Sequence, residues 1–131
     1  MGPLPAHGIL KQATVIRIGA GLAFLGVGLG AFGAHGLEEL LVENGRVDTW
    51  ETAVLYHLVH AVALLALGLS PRLCTGTCLC FAGGTVLFSG SLYVLSLTNA
   101  TKLGMITPLG GIAFLVGWGI LLFGPKQDAQ S

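Results

Sequence analysis

Charged side chains are scarce in this chain: six basic and six acidic residues among 131, or 9%. Soluble domains carry about 25%. So little charge cannot coat a water-soluble surface. The balance of zero net charge also excludes a basic face for nucleic acid. No carboxylate stands midway along any long apolar stretch. That removes the buried acid on which proton-coupled transport usually turns. Cysteine is limited to Cys74, Cys78 and Cys80. An odd count excludes complete internal pairing, and no fourth ligand stands nearby to build a metal site. Small packed thiols are the expectation.

Apolar residues dominate what remains. Four runs, near Ile18–Ala34, Thr52–Leu69, Leu73–Leu97 and Met105–Phe123, are almost free of charge. A hydrocarbon core about 30 Å thick takes about 20 such residues as a helix. The expected fold is all-α: four transmembrane helices in an up-down bundle, with a short interfacial helix in the first loop. Residues 14–124 form that domain, between an N-terminal tail (1–13) holding Pro3 and Pro5 and a C-terminal tail (125–131). The first run is longer than a signal-peptide core, so an uncleaved first helix is expected although Ala31-Phe32-Gly33 resembles a cleavage site.

Glycine marks the helix contacts. Gly26 and Gly30 form a GxxxG, which lets backbones approach closely. Gly33, Gly90, Gly110 and Gly111 are further packing candidates. In the first loop Leu37, Leu40 and Leu41 recur at helical spacing, and Asn44-Gly45 should stop that helix. Asp48-Thr49-Trp50-Glu51 reads as a capping box for the second span. Thr107 reads as a cap for the fourth, with Pro108 in its first turn. Asn99-Ala100-Thr101 fits a glycosylation sequon but lies close to the membrane. Lys11, Arg17, Arg72 and Lys126 would share one side against Arg46 and Lys102 on the other. That bias favours cytoplasmic termini.

Counting depth along alternating helices gathers the polar groups. His35, Glu51, Tyr56, His57, His60, Ser89, Ser91, Tyr93 and Thr107 all fall in the membrane half nearer the first and third loops. Polar groups in hydrocarbon are costly unless paired or wet, so they should point into the bundle. The candidate ligand-binding set is His35, Tyr56, His57, His60, Ser89, Ser91, Tyr93 and Thr107. His57 and His60 lie three apart and project from neighbouring parts of one helix face. An imidazole there can bridge helices, relay a proton or hold a metal. The bridging version pairs it with Ser89, Tyr93 or a backbone carbonyl. Two histidines are too few for a closed zinc site. The third and fourth spans contain no histidine, so haem would need a dimer or unusual ligation. No cofactor is therefore expected. Ser89 and Ser91, two apart, cannot share a face.

Several segments in order carry a family resemblance: Gly30-Ala31-Phe32-Gly33-Ala34-His35-Gly36, Tyr56-His57-Leu58-Val59-His60-Ala61, Leu87-Phe88-Ser89-Gly90-Ser91-Leu92-Tyr93, Thr107-Pro108-Leu109-Gly110-Gly111 and Gly117-Trp118. Together they resemble the domain-of-unknown-function family 423, which includes small bacterial inner-membrane proteins and the animal transmembrane protein 256. The resemblance implies a four-span inner-membrane protein over nearly all of residues 14–123. It implies no activity and transfers no site residue.

Three functional readings follow. The first is a structural or accessory membrane protein, packed as a homo-oligomer or with a membrane-protein partner. Glycine-rich helices and short loops support it. The second is a small-molecule or ion binding or transport module using the histidine-containing pocket. The third is a haem- or metal-binding redox protein. An enzyme built on Ser89 and His60 would lack an acid to orient the base, so no catalytic residue is assigned.

Overall fold

The computed structural model describes residues 11–124. Pro3, Pro5 and the tail 125–131 lie outside the described residues. Five α-helices follow one another: α1 (Gln12–Ala34), α2 (Glu38–Asn44), α3 (Val47–Leu69), α4 (Thr75–Thr98) and α5 (Thr107–Phe123). A short 3-10 turn, Thr101–Met105, joins the last two. Four helical stretches are long and apolar enough to cross a membrane, and α5 reaches that length together with the 3-10 turn. A helix satisfies its own backbone, which is why such runs adopt it in lipid. Surface that the protein leaves uncovered on these spans is surface for acyl chains.

The helix stops are chemical. α2 ends on Gly45 in the left-handed region, φ 68°, where a residue without Cβ sits free of strain. α4 ends on Asn99, also left-handed at φ 55°, a conformation asparagine tolerates better than most residues. Ser70-Pro71-Arg72 carries the chain round between α3 and α4, with the Arg72 amide donating to Ser70 Oγ.

Two starts differ from the sequence expectation. α3 begins one residue before Asp48, with Arg46 at its N-cap and no side-chain cap bond. Asp48 is therefore inside the first turn, and the capping box at Asp48–Glu51 does not form. The chain leaves α2 directly into α3 through Gly45-Arg46, so no extended residue is left where Asp48 could cap. Thr107 is likewise the first residue of α5 rather than its cap. Its hydroxyl donates back to the Leu103 carbonyl at 3.4 Å, which the 3-10 turn brings within reach. Pro108 does occupy the first turn.

α1 packs on α3, α3 on α4 and α4 on α5, while α1 and α5 share no extended contact. The two outer helices are therefore mostly bare, and the core centres on α3 and α4, with one buried residue added from each outer helix. Val15, Leu64, Cys78, Phe81 and Phe114 form its buried cluster.

The close contacts repeat every seven residues, the period of left-handed helix packing. On α1, a Cβ at Gly19 would meet Ala61 and Leu65 backbone, at Gly26 the Leu58 and His57 side chains, and at Gly33 the Trp50 ring. Gly30 also faces α3, 3.3 Å from Val54. The GxxxG pair thus belongs to a longer glycine seam, Gly19–Gly26–Gly33, which its two members alone do not reveal. Between α4 and α5 the pattern is reciprocal. Gly110 faces Phe88 backbone, Gly84 faces Phe114, and Gly117 faces Phe81. The Phe114 and Phe81 rings fill the notches left by Gly84 and Gly117, and Gly110 admits the α4 backbone itself. Gly90, expected to admit a close backbone, has open space where its Cβ would be, and Gly111 makes only ordinary contact with Phe88. Both point away from the α4–α5 seam that Gly84 and Gly110 occupy.

Candidate functional site

The polar residues in the half of the bundle near the first and third loops are joined helix to helix. Ser89 Oγ on α4 donates to the Ala53 carbonyl on α3 at 2.7 Å. Ser91, on the opposite side of α4, meets the Thr107 hydroxyl on α5 at 2.6 Å. The two-residue spacing sends the two hydroxyls to different neighbours. Tyr93 Oη and His57 Nδ1 are 2.8 Å apart, joining α4 to α3.

His60 is held on both sides. Its Nδ1 lies 2.7 Å from the Tyr56 carbonyl, and Trp118 Nε1 donates to its Nε2 at 3.0 Å. A carbonyl only accepts and an indole N–H only donates. The ring is therefore the neutral Nδ1–H tautomer, and its one lone pair is already used. Phe114 stacks on it with centroids 3.6 Å apart and planes at 9°, and Phe81 meets it edge-on at 5.1 Å. His60 is 3% exposed, so the imidazole is sealed among rings. Such an imidazole has no lone pair free for iron or zinc.

His57 differs. Its Nε2 is buried and has no hydrogen-bond partner. The Leu22 carbonyl of α1 is the backbone group facing the ring, short of hydrogen-bond geometry. A Cβ on Gly26 would fall 3.4 Å from His57 Cδ2. One heptad along, Trp50 Nε1 donates to the Leu29 carbonyl at 2.9 Å, across the notch of Gly33. The Trp50 ring thus fills a glycine notch and bonds the α1 backbone, whereas at Gly26 the Leu58 side chain fills the notch and His57 makes no bond to α1.

The remaining candidates stand apart. His35 is exposed at the C-terminal end of α1, where its backbone amide, rather than its ring, bonds Ala31 and Phe32 carbonyls. Glu51 is exposed. Tyr56 is 41% exposed, its ring laid on Phe88 at 4.6 Å. Among the described residues no three histidine, cysteine or carboxylate side chains converge as a metal site. Cys74, Cys78 and Cys80 are free thiols. The Thr77 hydroxyl donates to Cys74 Sγ at 3.3 Å and holds that thiol below its ordinary range.

Sequence reasoning missed Trp118 as the partner of His60. The residues are 58 apart in the chain, and only the α4–α5 zipper brings them together. It also missed the loop latch. Asn44 Nδ2 donates to the Ser96 carbonyl at 2.9 Å, a backbone group near the end of α4 without a helical partner. Arg46 Nε donates to Asn99 Oδ1 at 2.8 Å.

A concave surface lies on another side of α3. A groove of about 600 Å³ runs between the C-terminal end of α1, α2 and the first half of α3. Its walls are Gly30, Gly33, Leu41, Val54, Leu55 and Leu58, with Glu38 and Glu51 among its lining. None of the eight residues expected to bind a ligand lines it. His60, Ser89, Ser91, Tyr93 and Thr107 are engaged along the α3–α4–α5 contacts, while His35 and Tyr56 stand exposed.

Comparison with known proteins agrees with this architecture. The family described as "Protein of unknown function (DUF423)" matches residues 29–111. A UPF0382 membrane protein of Bacillus subtilis is 49% identical over 110 residues, spanning 79% of this chain and 88% of the relative. The UPF0382 inner membrane protein YgdD of Escherichia coli is 39% identical over 108 residues, 77% of this chain and 80% of its own length. A UPF0382 membrane protein of Schizosaccharomyces pombe is 34% identical over 124 residues, 83% of this chain and 98% of its own. No solved structure matches. Four apolar spans, the matched central segment and relatives aligned over most of their lengths make this chain a small integral membrane protein of the DUF423 family.

Proposed function

We propose that the protein is a structural or accessory component of a bacterial plasma membrane, with both termini in the cytoplasm, that assembles with a second copy or another membrane protein. The observation that carries this reading is that the polar side chains bond one helix to the next, His57 Nε2 alone among them standing without a partner. Ser89, Ser91, Tyr93, Thr107 and His60 each hold a partner inside the chain. A transport path would need polar groups that face a cavity. Here they bind one helix to the next, which is how polar residues commonly serve in membrane helices. The bare outer faces of α1 and α5, with Phe24, Leu25, Leu115 and Leu122 uncovered, leave room for partner helices beside lipid.

The experiment is native mass spectrometry of the full chain released from mild detergent, with cross-linking in the intact membrane. Multiples of the chain mass, or a reproducible protein partner, are expected. A monomer in both measurements would overturn the assembly reading.

A further inference from the structure

We propose that the α1–α2–α3 groove binds a bilayer phospholipid whose headgroup bears an ammonium, seating an acyl chain between the helices and the ammonium at Glu38 and Glu51. Its size, about 600 Å³, falls within the range of small-molecule sites. The two carboxylates stand at the loop end of an otherwise apolar lining. Glu51 lies in the first turns of α3 and Glu38 opens α2, both at the membrane surface. Leu58 is seven residues further along α3, about 10 Å deeper at the helical rise. Gly30, Val54 and Leu55 line it between these levels, and Leu41, Val42, Val47 and Trp50 add apolar wall at the loop end. Polar at one end and apolar along its length, the groove has the layout of an amphiphile.

Charge selects the headgroup. The lining contains two carboxylates and no lysine, arginine or histidine. Arg46, the basic residue of this loop, is turned to Asn99 on α4. An anionic headgroup would meet two like charges, whereas an ammonium gains charge-assisted hydrogen bonds. The walls are built to keep the groove open. Trp50 is held against α1 by its bond to the Leu29 carbonyl, and α2 is tied to α4 through Asn44. Gly30 and Gly33 let Val54 and Trp50 of α3 pack closely against α1 along this wall.

The test uses the full chain in mild detergent, with dioleoyl phosphatidylethanolamine or dioleoyl phosphatidylglycerol added at equal concentration, read by native mass spectrometry. One bound ethanolamine lipid is expected, preferred about tenfold, as two carboxylates acting on one cation imply. In Glu38→Gln/Glu51→Gln, both at exposed positions, the preference should vanish while binding of either lipid persists. Leu55→Trp, also exposed, should block both lipids. Equal binding of the two lipids by the wild type would overturn the proposal. So would a preference that survives the double substitution, or a dimer that forms without lipid and is abolished by Leu55→Trp. That last result would place a second copy in the groove.

Discussion

At His60 the imidazole is fixed by a donor, an acceptor and a stacked phenyl ring, and it stands deep in the apolar interior. Replacement by leucine removes both bonds and leaves the Trp118 indole N–H without its partner. Interhelical hydrogen bonds in membranes average about 0.6 kcal/mol and reach about 1.7. With the lost stacking, His60→Leu is expected to cost roughly 1–3 kcal/mol, read as a lower melting temperature in detergent. Trp118→Phe should cost less, and the double variant should fall short of the sum, because both remove one contact. Full additivity would show that the bond contributes nothing. Tyr93→Phe is expected to lower stability as well, since His57 would then lose its remaining ring partner.

The unit above the residue is the helix pair, and here the pairs are zippers of glycine against ring. A methyl at Gly110 would collide with Phe88 backbone, which cannot rotate away. Gly110→Ala should therefore destabilise by about 1–3 kcal/mol, as overpacking does. Gly90→Ala meets nothing and should be neutral or stabilise by up to about 1 kcal/mol through helix propensity. Equal effects on melting at the two sites would refute the zipper. The Asn44 latch acts on the same scale. Asn44→Ala should speed amide exchange at the ends of α2 and α4 together, since one side chain serves both. The GxxxG motif and the odd polar residues were legible in the residue order. Gly26, Gly30, Gly33 and Gly110, named from the sequence, do meet a neighbouring helix, whereas Gly90 and Gly111 do not pack closely, because only the partner helix distinguishes Gly110 from Gly111.

Over the whole molecule, α3 and α4 form the centre and α1 and α5 flank it without closing on each other. The start of α1, the end of α5 and the Ser70–Arg72 turn share one side, and the α2 loop and Thr101–Met105 share the other. If the termini are cytoplasmic, Thr101→Cys in a chain whose own cysteines are replaced should react with an impermeant thiol reagent only from outside. Cys74, in an otherwise cysteine-free chain, should react only when the cytoplasmic side is opened. The reverse pattern would invert the topology.

Length and composition alone determined that the chain spans a membrane four times, since about 20 apolar residues have no other stable form there. Depth counting also set Ser89, Ser91, Tyr93 and Thr107 toward the α2 end, because rise per residue is constant, whereas His60 stands just past the middle of α3 and buried Thr77 and Thr85 lie in the other half of α4. Rotation about each helix axis is what counting cannot supply. The tertiary structure decided that His60 faces Trp118, that Ser89 and Ser91 serve different neighbours, and that the open groove lies on the side of α3 away from them. Those outcomes depend on which glycine receives which ring, a choice made only when two helices meet.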